Sequence, residues 1–324
     1  MGTSGLRGIA LAAVVAAVPA SGPADSPSEY PLVFATHVPA SQAPSLRDGD
    51  LVVGVVVNGQ ARAYPAHFLW AEGAHTVNDE LGESPIAVSL CPLAGASAAF
   101  SRRLDGERLE VGTLTATDRG SLVLYDGDTH TRWRLLTGKG FSGPLAGRRL
   151  ERLPSLFATW KRWRSLHPDT TVYVGPGESR DFQVDDQRLK RVLLAGGPYL
   201  QDHEWVIGVV GERSSAAFVG RSLVVRRVAN TSFEERPIVL FMTEDLITTL
   251  VWDRSVAGRV LSFEADGDRM RDRETGSTWD AVSGRAVDGS LEGRTLSRVP
   301  AVAGFWRAWK GEHPETIPRI DYVD

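Results

Sequence analysis

Cys91 is the single cysteine of this 324-residue chain, and it ends the apolar run PIAVSLC just before Pro92. A thiolate acts as a nucleophile or metal ligand when a cation, a helix N-terminus or a base lowers its pKa. His75 has the chemistry of that base, and Asn78 or Asp79 the chemistry of a group that orients it. Cys91, His75 and Asn78 are therefore the candidate catalytic set, in a Cys/His/Asn arrangement. Cys91 and His75 are the residues to which a metal would be assigned, if there is one. Each also has a plainer reading. A free cysteine is among the most buried residue types and behaves as a small hydrophobe. Asn and Asp bond their own backbone in turns, and the stretch AEGAHTVNDELGES reads as a polar, turn-rich loop.

Three further groups invite a chemical reading. His167 and His313 fall at the end of an apolar helical face, where a histidine caps carbonyls or complements the helix dipole. Asp126, Asp128 and Thr129 could offer oxygens to a hard cation, but the spacing is not that of an EF-hand, and Asp126-Gly127 is a turn signal. Trp133, Trp160 and Trp163 suit a buried core better than a stacking platform for a ligand. There is no phosphate-binding glycine loop, no dinucleotide fingerprint and no metalloprotease or serine-hydrolase motif. The cofactor is left open. Asn230-Thr231-Ser232 is a glycosylation sequon that matters only in a eukaryotic secretory route.

The elements that must position these residues are set by an internal repeat. Residues 124–170 and 270–316 align without a gap, and 16 of the 47 paired positions are identical. Asp126, Thr129 and Trp133 match Asp272, Thr275 and Trp279. Gly138, Gly143 and Gly147 match Gly284, Gly289 and Gly293, as expected where the backbone needs a positive φ or a close approach. Leu156, Trp160, Trp163 and His167, like Val302, Trp306, Trp309 and His313, have the spacing of one helix face. This predicts a helix from Ser155 to Leu166 with Pro154 at its start, ended by His-Pro. At a slightly larger offset WVIGVV from Trp205 repeats LVVGVV from Leu51, and Asn230 repeats Asn78. The second copy has Thr243 where Cys91 stands and Arg227 where His75 stands. Such a repeat decides the architecture before any other signal does.

Between these landmarks the chain reads as hairpins. Asn58-Gly59, Asp105-Gly106 and Asp126-Gly127 each separate two β-prone runs. The fold class expected is α+β and mainly β, with two similar lobes of antiparallel strands, each closed by one C-terminal amphipathic helix. The expected divisions are a signal peptide over 1–20, a linker with little structure of its own over 21–47, a first lobe over 48–174, a connector over 175–203 and a second lobe over 204–320. The leader has one early cation, Arg7, a short apolar run from Ile9 to Ala17, and small residues up to Ala20. That pattern fits export, and the run is too short to span a bilayer comfortably. No other stretch reads as a membrane span. Net charge is −4 with both signs well mixed, so no basic stripe points to nucleic acid or anionic lipid. One thiol excludes an intramolecular disulfide framework.

With these motifs in view, the chain resembles the domain-of-unknown-function family numbered 3179. The matching pieces are VVGVVVNGQARAYPAHFL, HTVNDELGESPIAVSLCPLAG, LYDGDTHTRWRLLTGKGFSGPLAGRRL, and the DRETGSTWD and AVDGSLEGR runs of the second half. The resemblance implies a bacterial, often exported protein and no assigned activity. The family's typical Cys-Pro-Leu-Cys-Gly reads here Cys91-Pro92-Leu93-Ala94-Gly95, so a dithiol centre, which needs both sulfurs, is not expected. The functional reading is a non-catalytic binding or interaction protein of the cell envelope, its partner a small molecule or an envelope protein. The alternative is a metal- or thiol-dependent enzyme or redox protein centred on Cys91 and His75.

Overall fold

A computed structural model describes residues 27–43, 46–71, 73–175 and 200–320. The leader over 1–20 and nearly all of the connector over 175–203 lie outside the described residues. The protein is mainly β, with most strands antiparallel and three short α-helices among the described residues: α1 (Ala66–Leu69), α2 (Trp160–Leu166) and α3 (Trp306–Glu312). No helix of the described residues is long and apolar enough to cross a membrane.

Among the described residues the first half holds three sheets of four or five strands, besides the two-stranded pair Arg103–Leu104 with Glu107–Arg108. One runs Val33–Phe34, Thr76–Leu81, Ser84–Cys91, Ala96–Ser101, Arg152–Leu153 in spatial order; a second runs Val111–Asp118, Ser121–Asp126, Arg132–Arg134, Gly140–Ser142. The third places Leu51–Val57 between Ser155–Thr159 and Gln60–Pro65, followed by Thr171–Val174 and Thr36–Pro39. The second half shows the same pairings: Thr249–Asp253 with Ser297–Arg298, Arg269–Asp272 with Thr278–Asp280, and Trp205–Val210 between Ala301–Phe305 and Ser215–Val219.

The local sequence explains many of these elements. Asn58 and Gly59 both take positive φ, 49° and 80°, which is the turn that matches strand twist, and Val57 pairs with Gln60 across it. The three repeated glycines have positive φ in both halves. The six tryptophans of the repeat, Trp133, Trp160, Trp163, Trp279, Trp306 and Trp309, are all buried. Trp133 donates its indole N–H to Asp126 Oδ2 at 3.0 Å, and Trp279 does the same to Asp272 at 2.9 Å. Thr129 and Thr275 bond the same two carboxylates through backbone and hydroxyl. A buried acid is thus satisfied by neutral donors at equivalent places. The cation reading of this turn has a plain competitor, since Asp126 is saturated by protein donors.

Three expectations are corrected. The run from Ser155 to Thr159 is a strand paired with Leu51–Val57, and the helix starts only at Trp160, capped by Thr159 Oγ1 on Arg162 N at 3.3 Å. The 3.6-residue spacing misled because Leu156 and Val302 do pack against the helix tryptophans, but from the strands that precede the helices. The polar stretch around Asn78 and Asp79 is no loop but the strand Thr76–Leu81, paired along its length with Ser84–Cys91. Burial there is borne by paired polar groups, which periodicity does not register. The pairing expected across Asp126-Gly127 is present: Ser121–Asp126 runs antiparallel to Arg132–Arg134, and Asp126 folds the loop between them through its carboxylate. The segment expected to have little structure carries Val33–Phe34 and Thr36–Pro39, which pair with Val77–Asn78 and with Thr171–Val174. Their partners lie far along the chain, so no local pattern announced them.

The core crosses the boundary between halves. Leu156 packs into the cluster around Trp279, Leu261 and Phe263. Val302 and Ala308 pack into the cluster around Trp133 and Leu124, and Ile247 into that around Tyr64 and Phe68. Backbone bonds cross as well: Phe305 N donates to Ala94 O at 2.7 Å, and Thr248 Oγ1 donates to Phe157 O at 2.9 Å.

Candidate functional site

Cys91 is fully buried among Ala87, Leu124 and Trp133. Its Sγ accepts two backbone N–H groups, Ala94 and Leu122, both at 3.3 Å. Asn78 is 1% exposed. Its amide donates to Val33 O at 3.1 Å and Val111 O at 2.8 Å, and its oxygen accepts Val111 N at 2.8 Å. It thereby stitches three strands together. Asn230 makes the equivalent reciprocal pair with Phe263, at 2.9 and 2.8 Å. His75 Nδ1 meets Leu69 O, at the end of α1, at 2.9 Å, and its own carbonyl accepts Leu90 N at 2.9 Å. Among the described residues no hydrogen bond joins Cys91 to His75 or Asn78. No three His, Cys, Asp or Glu residues gather as a metal site would require, again among the described residues.

Asp79 takes part in a buried ion pair. Arg62 donates to its Oδ2 at 2.5 Å and Tyr64 to the same oxygen at 2.6 Å, while Glu80 N bonds Oδ1. Burial, then the Asp79 charge, pushes the Tyr64 hydroxyl well above its ordinary value. Burial also lifts Tyr173, next to it, to about 12. A buried pair of this kind fixes strand pairing more than it adds stability. Arg102 plays a similar part, donating to the carbonyls of Ile86, Leu109 and Asp79; Arg254 repeats two of these, to Leu261 and Thr231.

His167 and His313 cap α2 and α3. Their N–H groups bond Trp163 O and Trp309 O, and their rings lie 4.2 and 4.3 Å from the same tryptophans. Burial lowers both imidazoles below the ordinary value.

Polar side chains from both halves also converge on a cleft between them. Its walls include Gly95, Ser97, Arg152, Ser155, Trp205 and Arg298, with Thr248 and Thr249 from the second half. It has room for about 60 Å³, enough for a small polar group or a few waters. Ser97 and Thr249 occupy corresponding positions of the two halves, as do Arg152 and Arg298. Arg152 faces Phe100 across its strand pair and lies 5.9 Å from that ring; Arg298 faces Trp252 and lies 4.9 Å from its ring. Arg152 also donates to Ser97 O and Leu136 O, both at 2.9 Å. Gly95 borders the cleft with φ +59°, and a Cβ there would press on Trp205 and Phe305 at 2.9 and 3.0 Å. The Cys-Pro-Leu-Ala-Gly turn therefore shapes the junction through its glycine and the Ala94 carbonyl.

The sequence reading missed Arg152, Arg298, Ser97 and Thr249. The signal was present, since Arg152 and Arg298 are among the identities of the repeat. A cation at matching positions of the two aligned stretches merited a role, but no motif pointed there.

No curated protein and no solved structure matches the chain. One family model does, over residues 30–316, which is most of the chain. The Cys91-to-Gly95 turn, the strand-stitching Asn78 and the asparagine-glycine hairpin all fall inside that match, and the chain belongs to the family described as a protein of unknown function, DUF3179.

Proposed function

We propose that this is an exported, non-catalytic binding protein of the cell envelope, built from two copies of one unit, with its ligand seat in the cleft at their junction. The observation that carries this reading is the cleft itself, lined by corresponding residues of the two halves, Arg152 with Arg298 and Ser97 with Thr249. Ligand pockets favour such junctions, with a few polar groups among apolar walls. The catalytic alternative loses support from the bonding of its own residues: Asn78 is fully engaged by backbone, and Cys91 is enclosed. Export rests on the leader alone, and N-terminal sequencing of the mature protein from its native cell tests it.

The binding reading is tested by a thermal-shift screen over neutral sugars, zwitterionic amino acids and small anions. A ligand present at 100 times its Kd stabilises by about 2.7 kcal/mol. At least one class should stabilise saturably, and Ser155→Trp, which plugs the cleft, should abolish the effect. Silence across all classes, or turnover that depends on Cys91, would count against the proposal.

A further inference from the structure

The cleft has a chemical bias. Two guanidinium groups line it, and among its described lining residues there is no Asp or Glu. Neither Arg152 nor Arg298 makes an ion pair among the described residues. Each lies against an aromatic ring instead, which holds a cation in place without neutralising it. Arg152 uses two N–H groups on carbonyls, and a guanidinium has five donors. Arg298 makes no hydrogen bond to described protein groups. The Thr249 hydroxyl, on the same wall, is enclosed and has no partner. A buried polar atom without a partner is uncommon and calls for an explanation. Two cations on one cleft with no acid beside them leave their charge available to a ligand.

We propose that the cleft is an oxyanion site, in which Arg152 and Arg298, one from each half, take the carboxylate or phosphate group of a small ligand, with the Thr249 hydroxyl as a further donor. Guanidinium forks match the paired oxygens of both groups. The room available fits the anionic group and leaves any larger body of the ligand outside. This assignment rests on the cleft being the ligand seat. The surrounding protein pushes both arginines down, to about 10, and both stay cationic at neutral pH. Arg298 is exposed to solvent and Arg152 half-buried, so screening is stronger at Arg298.

The test is a titration of the full chain with inorganic phosphate and, separately, with succinate, against chloride at matched ionic strength, followed by calorimetry. Either probe should bind saturably, and the stronger one identifies the source of the anion. Arg298→Gln is the clean variant, because that side chain bonds no described protein group; it should weaken binding at least tenfold, with Arg298→Lys in between. Thr249→Val should leave the unliganded melting temperature unchanged or higher while weakening the anion several-fold, a split that a packing residue would not give. The assignment is overturned if neither probe binds beyond chloride, or if Arg298→Gln keeps full affinity. A neutral ligand that binds, is blocked by Ser155→Trp and is indifferent to Arg298→Gln would overturn the oxyanion assignment while leaving the cleft as the seat.

Discussion

At the scale of single residues, the polar groups that look reactive in the sequence are mostly bonded to protein partners in the fold. Cys91 is enclosed, so a thiol reagent should label it only after unfolding; rapid labelling of the native protein would revive the catalytic alternative. Asp126 and Asp272 each hold an indole N–H and a threonine inside the core. Asp126→Ala should cost about 2–4 kcal/mol in chemical denaturation, because the Trp133 donor is left unpaired, and Asp272→Ala should cost a similar amount. A loss under about 0.5 kcal/mol would mean the carboxylates are not structural. His167 and His313 set a pH dependence. Their folded pKa values lie below the unfolded value of 6.5, chiefly through burial. Between the folded and unfolded values the unfolded chain binds more protons, so stability falls as pH drops below 6.5 and the loss saturates once pH is under the folded values. Melting temperatures followed from pH 8 downward should show this decline, and the double variant His167→Asn, His313→Asn should flatten it. An unchanged slope would place the titrating groups elsewhere.

At the scale of elements, α2 and α3 are each docked through a missing side chain. Gly54 and Gly208 lie under Trp163 and Trp309, where a Cβ would fall within the indole ring. Gly54→Ala should therefore displace α2 and cost about 1–3 kcal/mol, and Gly208→Ala should do the same to α3. Near-UV circular dichroism would report the displaced tryptophan, and an unchanged spectrum with unchanged stability would contradict the packing. The sequence announced much at this scale. The helix-capping His-Pro, the Asn58-Gly59 hairpin and the buried tryptophans follow from local spacing and turn chemistry. What it did not announce depends on partners far along the chain. Ser155–Thr159 becomes a strand because Leu51–Val57 offers it an edge, and Thr36–Pro39 because Thr171–Val174 does. Asn78 looked like a turn former because nothing local reveals that Val111 and Val33 will come to meet its amide.

At the scale of the whole molecule, the halves are not beads on a string. Leu156, Ile247, Val302 and Ala308 each pack into a core cluster made mainly by the other half. Glu312 of α3 meets Arg134 and Arg119 across the same boundary, at 3.4 and 4.0 Å. Unfolding should accordingly be a single cooperative transition, and the isolated first half should not fold stably with Leu156 and the Trp133 cluster uncovered. Two resolved transitions in calorimetry would contradict this. The candidate site belongs to this scale too, which is why residue-by-residue reading missed it: Arg152 and Arg298 acquire a role only when their strands face one cleft.

The account places function at the junction and gives the thiol a structural role. The most direct measurement compares Cys91→Ser and Arg298→Gln side by side for calorimetric binding of the preferred anion, each variant first shown to be folded. The account predicts that Cys91→Ser binds as the unaltered protein does and that Arg298→Gln loses at least tenfold. Loss of binding in Cys91→Ser with full affinity in Arg298→Gln would contradict it.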